Sequence, residues 1–268
     1  MSTAKIKNLI LAALVLINVF FLIDVLWEKI GEAAERRQIT ENLTAIMEKG
    51  GIELHSGAIG EIRGPAAQST VRDPFGEATI ARAVLGDCEL VESGTRARYE
   101  SGLGEATFNT RGEFVITARK ELAASDGEPA RYAKRLLRAM KLDASEPVAT
   151  GSNTATAVCE YRGTAVFNCV ITFEFDGEGL VTVSGRRPSG VSEAPDVATR
   201  DLPTLLLGFL SLVRDGGADC TSISSVEAGY RLSVGAFGDG SLSPGWRVET
   251  DVGAFFLDAV TGAIETAE

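Results

Sequence analysis

Residues 9–27, LILAALVLINVFFLIDVLW, constrain this chain more than any other stretch. Across nineteen positions only Asn18 and Asp24 are strongly polar. A helix of that length, at about 1.5 Å per residue, approaches the roughly 30 Å of a bilayer core. Fourteen of the residues are Leu, Ile, Val or Phe. Together they favour insertion by roughly 4 to 8 kcal/mol, against a cost of about 2.5–3.5 for a central Asp. Asp24 sits near the end of the run, where its carboxylate reaches the interface at lower cost. The segment is therefore expected to span. Its apolar core exceeds the ~7–15 residues of a signal peptide, and the nearest small-x-small site, around Gly31 to Ala33, lies beyond Trp27 and Glu28.

Orientation follows from size more than from charge. Lys5 and Lys7 precede the segment, and Lys29, Arg36 and Arg37 follow it among several Glu, so the Lys/Arg count does not decide. A short tail, 1–8, is expected to stay cytoplasmic while everything after residue 27 lies outside. The implied localisation is a single-pass cell-membrane protein with an extracytoplasmic bulk. Within the span, the Asn18 amide bonds either a neighbouring helix, worth about 0.6–2 kcal/mol, or its own backbone. Asp24 is an intramembrane ionisable group and so a candidate interaction residue; the simpler reading is that it snorkels to the interface.

The remainder is globular. The chain has 268 residues, 45% hydrophobic and 24% charged, with a formal net charge of −11. A nucleic-acid partner needs a basic stripe, and the acidic balance excludes one. Residues 28–49 read as a helical stalk stopped by Gly50-Gly51, with Ile39, Leu43 and Ile46 on one stripe. Beyond it the pattern is helix then strands, in three stretches: a membrane-proximal unit at 50–125, a middle unit at 126–190 and a C-terminal unit at 198–268. Helices are expected over 77–85, 129–141 and 201–213, with Pro129 and Pro203 in first turns and Asp201 as an N-cap. Asp176-Gly177 marks a hairpin. The expected fold class is α+β: one transmembrane helix followed by repeated helix-plus-antiparallel-sheet units.

Chemistry-bearing constellations are sparse. The single His55 stands in a loop stretch, which leaves no His-rich zinc set and makes any Ser-His hydrolase depend on that one residue. No phosphate-binding glycine loop follows a strand. The stretch 235–245, GAFGDGSLSPG, lacks the alternating carboxylates and closing Glu of a calcium loop. No catalytic, cofactor or metal residue is nominated. Cys88, Cys159, Cys169 and Cys220 have no CxxC spacing. Cys159 and Cys169 flank a turn at Gly163 and are candidates for a disulfide outside the cytoplasm. The alternation Phe167, Cys169, Ile171 puts Cys169 on the apolar face, as a buried free thiol would be.

The closing stretch, GWRVETDVGAFFLDAVTGAIE, alternates strand and turn. Together with KIKNLILAALVLINVFFL, VFNC at 166–169 and Gly229-Tyr230, it resembles the YycH/YycI family, membrane-anchored accessory proteins of the WalK (YycG) sensor kinase. Its end is also similar to a PepSY-type domain, through Trp246, Arg247, Val248, Thr250, Asp251, Gly253, Asp258, Ala259, Thr261 and Gly262. Gly245 and Phe255-Phe256 depart from that pattern, which has a small apolar residue and tyrosines there. The resemblance implies a non-enzymatic regulator of a two-component histidine kinase in cell-wall homeostasis. It would contact the kinase and a related accessory protein through its transmembrane helix and its outer part, with lipid met only by that helix. The alternative is a PepSY-type ligand-binding or protease-inhibiting module for which the helix is a tether. Trp246 and Tyr230 are expected in the core, with the hairpin completing a sheet over the 201–213 helix.

Overall fold

A computed structural model describes residues 37–119, 128–176, 179–194, 197–235 and 238–267. The chain divides into two units, Met1–Leu54 and His55–Glu268. The expected tail, the span Leu9–Trp27 with Asn18 and Asp24, and the first part of the stalk lie outside the described residues. Among those described, no helix is long and apolar enough to cross a membrane.

In the first unit, helix α1 occupies residues 37–49 and a two-residue strand, β1, covers Glu53–Leu54. The glycine pair ends the helix as its conformational freedom requires. Gly51 takes φ +89°, and the Ile52 amide turns back to the Met47 carbonyl at 3.0 Å, as in a Schellman stop. Met47, 0% exposed, takes the place on the apolar stripe expected of Ile46, which is 40% exposed.

The second unit corrects the expected fold class. Among the described residues the chain has fifteen strands against four helices, and the repeated helix-plus-sheet units do not exist as separate sheets. Strands β4 (Arg96–Ser101), β5 (Gly104–Asn109) and β6 (Glu113–Arg119) form a meander, with β3 (Glu89–Glu92) along its outer edge. Strand β10 (Leu180–Arg186), expected in the middle unit, runs antiparallel along all of β6, from Leu180 opposite Arg119 to Arg186 opposite Glu113. On its other side β10 joins β9 (Thr164–Phe175), which pairs β8 (Thr154–Tyr161) and through it β7 (Val148–Ala149). Strands assigned to two units thus share one antiparallel sheet. The pairing of β6 with β10 is non-local, and strand alternation carries no information about which distant strand completes a ladder.

Helices α2 (Pro74–Leu85) and α3 (Pro129–Met140) pack on this sheet and on each other. Asp73 caps α2 by accepting from the Phe75 amide at 3.1 Å, Pro74 enters its first turn, and Gly86 at φ +73° ends it. On α3, Tyr132, Ala133, Leu136, Leu137 and Met140 form the buried stripe. Ala133, Leu136, Leu137 and Met140 meet Phe114, Ile116 and Ala118, the alternate residues of β6, in one core. A buried ion cluster closes one end of α2. Arg72 makes a two-pronged contact with Glu77, at 2.8 and 3.0 Å, and this bond raises the Arg72 pKa. Burial lowers the Arg187 pKa, while nearby Glu77 and Asp73 oppose the shift.

A second set of strands follows. Strands β12 (Ser222–Val234) and β13 (Gly240–Thr250) form a long hairpin. Strand β13 carries β2 (Gln68–Thr70) along its first residues and β14 (Gly253–Asp258) along its last. Strand β15 (Ile264–Ala267) extends β14, and β11 (Ser192–Glu193) extends β2. Helix α4 (Leu202–Arg214), capped by Asp201 accepting from the Thr204 amide at 3.0 Å, places Phe209 against Phe255, with ring centroids 5.1 Å apart. The two sheets join through β12 and β9 by a single parallel bridge, Tyr230 to Val166.

Candidate functional site

The weak seam between β9 and β12 is where a groove opens, and the reason lies in VFNC. In the β8–β9 ladder Val158 faces Val170 and Glu160 faces Ala165, so Val166 to Cys169 stand opposite Cys159 alone. Such a bulge bends its strand and re-aims the side chains within it. Here it turns Phe167 and Asn168 toward β12. The Asn168 side chain accepts from the Leu232 amide at 2.8 Å and donates to the Leu232 carbonyl at 2.9 Å. A side chain thereby supplies the pairing that the diverging backbones do not.

Two glycines then make space for aromatic rings. A Cβ on Gly229 would overlap the Phe167 ring, and one on Gly245 would lie 2.6 Å from the Phe256 ring. Both glycines face each other across β12 and β13. Phe167 and Phe256 therefore lie down on the sheet, edge to face, with centroids 6.2 Å apart. The guanidinium of Arg247 sits 5.8 Å from the Phe167 centroid, and that of Arg231 sits 6.0 Å from the Phe256 centroid. Both distances suit cation–π attraction.

Arg186, from the end of β10, completes a concavity of about 670 Å³ bounded on the far side by Glu265, Thr266 and Ala267 of β15. Three guanidinium groups thus face one space in a chain whose net charge is −11. Arg231 is paired with Glu265, and Arg247 with Glu249 at 2.6 Å. Arg186 donates from Nε to the Arg111 carbonyl at 3.1 Å. The Nε of Arg247 is buried without a hydrogen-bond partner among the described residues. Planar guanidinium forks backed by rings are suited to carboxylate or phosphate oxygens, which they bind in pairs.

Most residues of the closing motif do a different job. Trp246 is 2% exposed, and its indole donates to the Glu61 carbonyl at 2.9 Å. Tyr230, 4% exposed, donates from its hydroxyl to the Ala66 carbonyl at 3.0 Å. Between them they hold the 61–66 segment against the hairpin. Val248 is buried in the same sheet. Thr250 and Gly253 close the β13–β14 turn, with the Thr250 hydroxyl donating to the Gly253 carbonyl at 2.6 Å and Gly253 at φ +131°. Asp251 accepts from the Thr221 hydroxyl and from the Thr221 and Ser222 amides. These donors hold its carboxyl at about 2, below the ordinary range. Asp258 accepts from the amides of Val260 and Thr261 and from the Ser243 hydroxyl, and Gly262 leaves room for the Arg200 side chain. Of the ten motif residues only Arg247 enters the groove.

His55 is exposed, and no group of three or more His, Cys, Asp or Glu residues is placed to hold a metal ion among the described residues. Cys159 and Cys169 are buried free thiols and not a disulfide. Burial pushes Cys159 up to about 12 and Cys169 higher still, so neither is a nucleophile at neutral pH. The sequence reading passed over Phe167, Asn168, Arg186, Arg231 and Phe256 as site residues. One signal pointed to them: glycines inside strands at Gly229 and Gly245, which mark close approach of another group; the alternation through Phe167, Cys169 and Ile171 hid the bulge.

No family model matches the chain, and no curated protein does. Among solved structures, an uncharacterized protein from Eubacterium rectale is 9% identical, with a TM-score of 0.38 over 81% of this chain and 90% of that one. The Bacillus megaterium YpeB C-terminal domain is 11% identical, with a TM-score of 0.32 over 74% of this chain and 99% of that one. Likenesses at this level decide neither fold nor function.

Proposed function

We propose that this chain is a non-enzymatic, membrane-tethered module that works outside the cytoplasm by binding, and that the groove is its binding surface. The observation that supports this reading is the convergence of Arg186, Arg231 and Arg247 on one ring-floored concavity in an otherwise acidic protein. The size falls within the roughly 300–1,000 Å³ of ligand sites. The hydrophobic stretch Leu9–Trp27 is the tether in this reading, and it rests on sequence alone.

The fuller form of the proposal comes from the resemblance to the YycH/YycI family. There the module regulates a sensor histidine kinase of WalK type, in company with a related accessory protein, through both the tether and the outer face. A helix contact biased by about 1–2 kcal/mol shifts such an equilibrium several-fold. The test replaces Leu9–Trp27 with an unrelated spanning helix and reads kinase-dependent transcription. Altered output with intact localisation is the expected result. Unchanged output both in that variant and in cells lacking the protein removes the kinase from the proposal. A PepSY-type module on a passive tether is the second reading, favoured by the groove's distance in sequence from the tether. It expects full activity from a soluble form beginning at about Gly50.

A further inference from the structure

Resting on the reading of this face as a binding surface, we infer that the groove takes an acidic peptide segment in extended form. Arg186, Arg231 and Arg247 hold its carboxylates, and β15 pairs with its backbone.

Charge and shape point the same way. Two of the three guanidinium groups already hold carboxylates, Glu265 on Arg231 and Glu249 on Arg247, so the site as built accepts acids of peptide type. Glu265 lies on the last strand of the sheet, which pairs only with β14 among the described residues. Its outer edge therefore leaves backbone donors and acceptors without a strand partner, among the described residues, on the strand that bounds the groove, and such an edge is what an extended peptide adds to. A concavity of about 670 Å³ is far larger than an inorganic anion needs. Phe167, half-buried in its lining, offers apolar contact that such an ion would not use. Glu265 acts in this account as an internal occupant that the ligand's carboxylate displaces.

The experiment titrates the full chain, purified in detergent, into a fluorescently labelled peptide of alternating Glu and Val and follows anisotropy. The same peptide with Lys in place of Glu, and inorganic phosphate as competitor, are the controls. Saturable binding of the Glu peptide alone is expected, weakening with added salt. Arg231→Ala and Arg247→Ala should each weaken it about tenfold or more, as loss of a charged hydrogen bond does, while Arg98→Ala on β4 leaves it unchanged. Glu265→Gln removes the competitor without disturbing the fold and should tighten binding. The inference is overturned if the Glu peptide does not saturate, if the Lys peptide binds equally, or if phosphate competes at peptide-like concentration. It is also overturned if Glu265→Gln weakens binding. Should the arginine variants instead abolish self-association in sedimentation while no peptide binds, the occupant is a second copy of this chain and the peptide falls. Failure of the peptide alongside altered kinase output in the arginine variants would remove the peptide and leave the binding-module reading standing.

Discussion

The sheet beneath α2 and α3 and the sheet carrying α4 are both mainly antiparallel, yet they spend their two faces differently. In the first, one face is sealed by two helices and the other meets solvent: on β6, Phe114, Ile116 and Ala118 are buried while Val115 is 47% exposed. In the second, both faces of β14 are occupied. Phe255 meets Phe209 of α4 on one side, and on the other Phe256, 3% exposed, lies under Arg231. The first arrangement builds a core and nothing more. The second leaves charged groups held over an aromatic floor, which makes it the place to look for binding.

The sharpest way to break that contrast is to attack the core side and see whether the groove survives. Glu77 is 3% exposed and holds Arg72 in a two-pronged contact. Glu77→Ala strands buried positive charge and should cost about 3–5 kcal/mol in urea unfolding. Folded protein should still carry the parent's near-UV circular dichroism signature. Loss of that signature in the folded state would show that the two faces are not independent.

Next in size is the glycine floor. Gly245→Val sets its Cβ against both the Leu257 carbonyl and the Phe256 ring and should cost about 1–3 kcal/mol or more by overpacking, with a changed aromatic circular dichroism. Gly102, in the β4–β5 turn, has nothing within 4 Å of an added Cβ. Gly102→Ala should stay within about 0.5 kcal/mol. Equal effects at the two glycines would remove the argument that the second sheet is shaped for its rings.

What the sequence disclosed follows the same division. Helices α3 and α4 fall within a residue or so of the expected ranges, because prolines, an Asp cap and a 3.6-residue stripe are local signals. The stop at Gly50-Gly51 is local too, and so is the burial of Trp246 and Tyr230. The antiparallel pairing of β6 with β10 was illegible because a ladder between distant strands leaves no mark on either one. Strands β12 and β13 were expected only in part: SSVEAGY and GSLSPGW carry Ser, Gly and Pro244, which speak against strand until the packed rings explain the glycines. Gly245 looked like a departure from a family pattern. It is the residue that admits Phe256.

The smallest expected effect concerns the turn between β13 and β14. Asp251 is held near 2 by donors from Thr221 and Ser222, below the ordinary carboxylate value of about 3.9. A lowered folded pKa means its contribution to stability is complete above about pH 4 and is lost as pH falls through about 2. Asp251→Asn should therefore flatten the stability profile in that acid window and leave the groove unaltered. An unchanged acid profile would remove the turn from this account.

The claim that matters most is that the arginine groove is the working surface. The direct test places Arg186→Ala, Arg231→Ala and Arg247→Ala together in the full chain in cells, with abundance and melting temperature checked against the parent. Kinase-dependent output should then match that of cells lacking the protein altogether. Parental output from a folded, normally abundant triple variant would contradict the account.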